Sequence, residues 1–338
     1  MPKFPSPDAP AASAVRYRKP VRGSLVWWLR LLGATAVLVI LLVWLSRSEE
    51  SRVVRVDLRW IWFAASLTVC QLLLDALVWF WLLTIQRIRY PYPKTLLAYL
   101  ASQYLGLVTP NHVGELLAAG HISTDTGITF GYSLSSVVMK KALSAVTVAG
   151  FGIWSLPLLA DLRFLQGMQI VVWSFVVLVV FSAALGLWVV SLRRLARKWE
   201  RVSPSKIEMA ECWAGFGQLV SPRLLVPLSL SALAFGLLFF QLDAVLRAMG
   251  LGLSFTLICR VMALSRIASR FLPLSMVGFG SKDALLILLL HRQGIAFSDG
   301  LRAALLLLMC SHLVTLLLSG LAWWIKPLVI RRVAPASS

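Results

Sequence analysis

The sequence predicts an all-α polytopic membrane protein, and three observations carry that prediction. The 338 residues are 59% hydrophobic and only 14% charged, with a mean hydropathy of +0.81; a soluble domain carries about 25% charged residues. The apolar runs are about twenty residues long, the length of a helix crossing hydrocarbon. They do not alternate in segments of about ten, as a barrel requires. Basic residues outnumber acidic ones, 33 Lys and Arg against 14 Asp and Glu, for a formal charge of +19. In a chain this apolar, the excess reads as cytoplasmic loops and contact with anionic lipid. A nucleic-acid partner would need a basic soluble module, and no polar stretch is long enough to form one. Cys70, Cys212, Cys259 and Cys310 are far apart, form no CxxC pair, and suggest neither a metal site nor a disulfide frame.

The elements follow in order. Residues 1–23, rich in Pro, Ala and Ser and ending in Arg16, Arg18, Lys19 and Arg22, predict a disordered basic cytoplasmic tail. The run from Leu25 to Leu45 is too long for a cleaved signal peptide and lacks a clear A-x-A site. A second span covers about Trp60 to Ile85, followed by a short basic loop marked by Pro91 and Pro93. The stretch 95–118 is apolar but broken at Thr109-Pro110-Asn111-His112-Val113-Gly114-Glu115. Further apolar runs cover about 131–159, 168–192, 224–246, 255–272, 276–290 and 301–325, and the basic insert 193–223 is the longest polar one.

Basic loops set orientation. The N-terminal tail, the 193–223 insert and the C-terminal segment with Lys326, Arg331 and Arg332 should all be cytoplasmic. That demands an even number of crossings in each interval. The broken stretch 95–118 therefore enters and leaves on one side, and 255–290 forms a second re-entrant hairpin. Arg47, Arg52, Arg55 and Arg59 in the external segment run against this orientation; an interfacial helix there accounts for them.

Short motifs recur half a chain apart. Leu74-Asp75-Ala76 returns as Leu242-Asp243-Ala244, Gly127-Ile128-Thr129-Phe130 as Gly294-Ile295-Ala296-Phe297, and Pro110…Gly114-Glu115 as Pro273…Gly280…Asp283. Their shared order predicts a duplication. Each half then holds three crossings and one hairpin, six full spans and two re-entrant hairpins in all. An odd number of crossings inverts the second half. Opposed broken hairpins at the midplane are the arrangement of transporters built on inverted repeats.

The breaks carry the candidate chemistry. Pro110 removes a backbone donor and Gly114 permits an irregular turn, which is tolerable at membrane depth only inside protein or beside a wet cavity. Asn111, His112 and Glu115 complete the first motif; the plain alternative is that Glu115 caps a helix. The second motif holds Pro273, Ser275, Gly278, Gly280, Lys282 and Asp283, and a helix starting near Ser281 would aim free N–H groups at an anion. Lys140 and Lys141 interrupt an apolar span, where a charge costs roughly 2.5–3.5 kcal/mol and normally faces a partner or water. Arg266 and Arg270 share a helix face just before Pro273, as anion contacts or as partners of Asp243 or Asp283. Asp75 and Asp243 read as structural hydrogen-bonding groups or as proton-coupling acids. Ala98, Ser102 and Gly106 predict a close helix-packing face. No catalytic triad, metal set or cofactor motif has sequence support.

On these motifs the chain resembles the flippase-like transmembrane domain of lysylphosphatidylglycerol synthases. The likeness covers most of 25–325 and points to Pro110, Gly114, Glu115, Pro273, Gly278, Gly280 and Asp283. Where such relatives often carry a Glu-Arg pair, Met139-Lys140-Lys141 stands here. The resemblance implies a stand-alone member without the aminoacyl-transferase domain. The spans, the charge pattern and the duplication divide the chain into the tail 1–23, a first transmembrane repeat 24–160, a second 161–325 with the insert 193–223, and a cytoplasmic tail 326–338. The expectation is a non-enzymatic lipid flippase of the bacterial inner membrane that uses no cofactor. It would move an anionic or phosphate-bearing (glyco)lipid by alternating access. The alternative is a non-transporting accessory subunit of a lipid-modifying or glycosyl-transferring enzyme.

Overall fold

The computed structural model describes residues 56–108, 110–155, 205–271, 275–276 and 279–327. The expected spans at 25–45 and 168–192, and the tail 1–23, lie outside them, as do Pro273 and Gly278. The elements are α1 (Leu58–Ile85), α2 (Tyr92–Val108), a 3₁₀ stretch (Pro110–Leu117), α3 (Ala118–Thr126) and α4 (Phe130–Ser155). After the undescribed segment come α5 (Ser205–Leu219), α6 (Leu225–Ala248), α7 (Phe255–Phe271), the two-residue strands β1 (Ser275–Met276) and β2 (Phe279–Gly280), α8 (Ser281–Arg292) and α9 (Phe297–Leu308). A π-helical turn (Met309–Leu313) joins α9 to α10 (Val314–Ile325). The protein is all-α and polytopic. Four helical segments, Leu58–Ile85, Phe130–Ser155, Pro222–Ala248 and Phe297–Ile325, are long and apolar enough to cross a membrane.

One order of elements occurs twice: a long apolar helix, a shorter helix, a broken turn, a short helix and a second long helix. The ends of equivalent helices close alike. Arg87 and Gly250 both take left-handed backbone, with φ of 59° and 71°. Beside them, Ile88 donates its N–H to Leu83 O and Leu251 to Leu246 O, each at 2.9 Å. Gly127 and Gly294 end α3 and α8 with φ of 72° and 85°, the conformation glycine adopts at least cost.

Both breaks fold the chain back on itself. A continuous helix would hold Gly106 and Glu115 about 13 Å apart, yet Glu115 packs directly against Gly106. In the second run, β1 and β2 pair antiparallel, Ser275 with Gly280 and Met276 with Phe279. An eight-residue 3₁₀ stretch is unusual, because its hydrogen bonds are poorer than those of an α-helix.

Two large apolar clusters form, one mostly in each run, and the second also takes in Ala64 and Val148 from the first. Leu72, Trp79, Leu83, Tyr99 and Ile122 cluster in the first; Leu242, Leu246, Met262, Leu286 and Leu290 cluster in the second. The runs are joined where α1 lies against α6. Asp57 caps α1 by accepting from Arg59 N–H, and its own N–H donates to Ala248 O at 2.9 Å, so the start of α1 meets the end of α6. Midway, Gln241 donates to Thr68 Oγ1 at 2.5 Å, and Thr68 donates to Cys310 O at 2.9 Å. That carbonyl lies in the π-helical turn, where the regular ladder is interrupted. Outward-facing Trp62, Leu233, Leu317 and Trp324 leave apolar surface for lipid. Within the insert 193–223, Ser205–Leu219 form α5, which packs against α4, a helix that the polar composition did not predict.

Candidate functional site

The first polar cluster is built by α1, α2, the 3₁₀ stretch and α4. Lys140 lies ten residues into α4, about 15 Å from its start and so near mid-bilayer depth. Its ammonium stands 3.8 Å from Asp75 Oδ1 and 3.7 Å from the centroid of the Tyr99 ring. Tyr99 donates its hydroxyl to Asp75 Oδ2 at 3.3 Å. Lys141 turns to the folded-back segment and donates to Glu115 Oε2 at 2.7 Å. Adjacent helical side chains diverge by about 100°, and here each ammonium finds its own carboxylate. Two bases and two acids thus balance inside the bundle, where an isolated charge would be costly.

The second cluster sits among α7, the start of α8 and the π-helical turn. A narrow pocket is lined by Ser265, Arg266, Lys282, Asp283 and Ser311, with Met262, Leu286 and Leu307 as apolar walls. α8 starts at Ser281, as the sequence predicted. Asp283, 3% exposed, accepts the Gly280 N–H at 2.9 Å and so closes the first turn of α8. Ser265 and Ser311 spend their hydroxyl protons on the Met262 and Leu307 carbonyls, so their oxygens, the two cations and the Asp283 carboxylate make up the polar lining.

The geometry sorts the predicted residues. It gathers Asp75, Glu115, Lys140 and Lys141 in one cluster and Arg266, Lys282 and Asp283 in the other. Pro110, Asn111 and His112 lie on the 3₁₀ stretch and Gly114 is buried within it; side chains at 110–113, and those of Arg270 and Ser275, are outside the described residues. Glu115 and Asp283 do different work: Glu115 holds Lys141, whereas Asp283 caps a helix. Asp75 and Asp243 are not equivalent either. Asp75 lies ten residues before the end of α1 and Asp243 five before the end of α6. Asp243 pairs with Arg247 at 2.9 Å, and that guanidinium covers the Trp60 ring at 5.3 Å, near the helix end.

Two groups escaped the sequence reading. Tyr99 is one; a tyrosine in an apolar helix, seven residues after Tyr92, was its only signal. The other lies outside the apolar spans. Tyr90 donates to Asp125 Oδ2 at 2.6 Å, and Lys326 donates to Tyr90 Oη at 2.8 Å and pairs with Asp125. This triad ties the loop after α1, the end of α3 and the end of α10. Burial pushes the Asp125 carboxyl up, but hydrogen bonds from Lys326 and Tyr90 outweigh it and hold the group below its usual range. Burial, with Asp125 alongside, raises the Tyr90 phenol well above its ordinary value.

Residues 27–320 match the family described as lysylphosphatidylglycerol synthase TM region. No curated protein and no solved structure matches the chain. The match spans most of the sequence, and the chain belongs to that family as a multi-pass membrane protein.

Proposed function

We propose that, as a member of this family, the chain moves a lipid with an anionic, phosphate-bearing headgroup between the leaflets of a bacterial inner membrane, with no chemical step. The observation that carries this reading is the placement of charge. Lys141 pairs with Glu115 on the first folded-back segment, Lys140 stands next to it against Asp75 and Tyr99, and Arg266 and Lys282 flank the second, all among long apolar helices. Keeping cations at that depth costs stability, and a headgroup path is a reason to keep them. The twice-repeated element order supports an inverted repeat whose folded-back segments re-enter from opposite sides. Rocking of one run against the other, across the α1–α6 contact, then gives alternating access. In this reading the termini are cytoplasmic.

The test is reconstitution of the purified chain alone into vesicles carrying an acyl-labelled fluorescent phosphatidylglycerol. Added dithionite bleaches only the outer leaflet. Translocation extends bleaching into the protected pool, in proportion to protein per vesicle. Bleaching that stops at the outer leaflet in vesicles with folded protein sinks the transport reading and favours an accessory subunit.

A further inference from the structure

We infer that the two clusters divide the work: the pocket between α7, α8 and the π-helical turn takes the phosphate, while the first cluster is a self-neutralised clamp on the folded-back segment. This rests on the transport reading above and assigns its anion site.

In the first cluster each ammonium already faces a carboxylate, Lys141 on Glu115 at 2.7 Å and Lys140 on Asp75 at 3.8 Å. The remaining face of Lys140 is covered by Tyr99. An entering anion would meet two acids and would have to displace one of them, leaving a buried carboxylate unpaired.

The second pocket has the opposite balance. Arg266 and Lys282 line it with a single carboxylate, Asp283, whose Oδ2 is already held by the Gly280 amide. Lys282 makes no hydrogen bond or ion pair to any other described residue, so its three donors are uncommitted there. α8 runs for twelve residues from Ser281, and although Asp283 caps its first turn at the Gly280 N–H, the positive end of the helix dipole still faces the pocket. A point-charge ammonium, a planar guanidinium fork and a helix N-terminus suit the two non-bridging oxygens of a phosphodiester, which share one negative charge. Met262, Leu286 and Leu307 add apolar walls beside the Ser265 and Ser311 hydroxyls, which fits an amphiphile whose phosphate is joined to glycerol and acyl chains.

Calorimetric titration of the purified full chain in a neutral detergent tests the assignment. The probes are inorganic phosphate, dihexanoyl phosphatidylglycerol, and the matching diacylglycerol without phosphate. Phosphatidylglycerol should bind and diacylglycerol should not; tighter binding of the lipid than of inorganic phosphate identifies the headgroup as the source, and the reverse order identifies a free-phosphate pocket. Lys282→Gln should weaken phosphate binding about tenfold or more, the loss of one charge-assisted contact, while Lys282→Arg retains most of it. Lys140→Gln should cost markedly less than Lys282→Gln. If Lys282→Gln does not purify folded, Arg266→Gln supplies the same reading. Wild-type affinity in the Lys282 and Arg266 variants, equal loss in Lys140→Gln, or binding of diacylglycerol overturns the assignment. Because translocation is measured separately, lipid movement with unchanged phosphate binding in Lys282→Gln would leave the transport reading standing and remove this inference alone.

Discussion

At Gly106 an added Cβ would sit 2.6 Å from Glu115 Cγ, closer than any stable carbon contact. Gly106→Ala must therefore push the Glu115 side chain away and strain its bond to Lys141. Overpacking of this kind typically costs about 1–3 kcal/mol, and the expected result is a lower thermal midpoint for Gly106→Ala in detergent. In a Glu115→Ala background the clash is gone, so the same substitution should cost far less. Additive losses would show that Gly106 matters for another reason, such as helix packing. The residue scale also explains what the sequence concealed. Lys140 and Lys141 were legible as charges needing partners, because a lysine pair in an apolar run stands out. Which acid each one meets was not, because Asp75 and Glu115 approach only after α1 and the folded-back segment pack against α4.

Among elements, the breaks were the easiest features to read. Proline and glycine flank both, and α8 starts at the residue where a Gly-x-Gly gives way to Ser-Lys-Asp. α5 was hidden, because its weak amphipathy and basic flanks resemble a loop; packing against α4 stabilises it. The triad of Tyr90, Asp125 and Lys326 was hidden too, since 236 residues separate Tyr90 from Lys326. Joining three elements at one end of the bundle, it gives a pH-dependent contribution to stability. The folded Asp125 carboxyl lies below its unfolded value of about 3.9. Its contribution is therefore complete above that value and is lost as pH falls through the lower, folded one. Thermal midpoints across the acid range should fall less steeply for Asp125→Asn than for the wild type. Parallel acid profiles for the two would show that the triad adds no linkage.

For the whole molecule, the doubled element order makes a topological demand. If three crossings separate the repeats, the start of α9 and the start of α5 lie on opposite sides of the membrane. In a background freed of Cys70, Cys212, Cys259 and Cys310, single cysteines at Ser298 and Ser205 report this. An impermeant maleimide added to intact cells should label position 298 and leave 205 unlabelled until the cells are opened. Both positions labelled from the same side would contradict inversion.

The central claim is that the charged, folded-back segments form the headgroup path, not merely the packing. The most direct measurement is translocation of fluorescent phosphatidylglycerol in proteoliposomes by the Glu115→Gln, Asp283→Asn double variant, with folded yield fixed by gel filtration. Neutralising Glu115 leaves Lys141 without its carboxylate, and neutralising Asp283 weakens the cap of α8, so both clusters lose their geometry while the apolar cores stay intact. The account predicts a protein that inserts and elutes like the wild type but moves no lipid. Wild-type translocation by that folded double variant would contradict it.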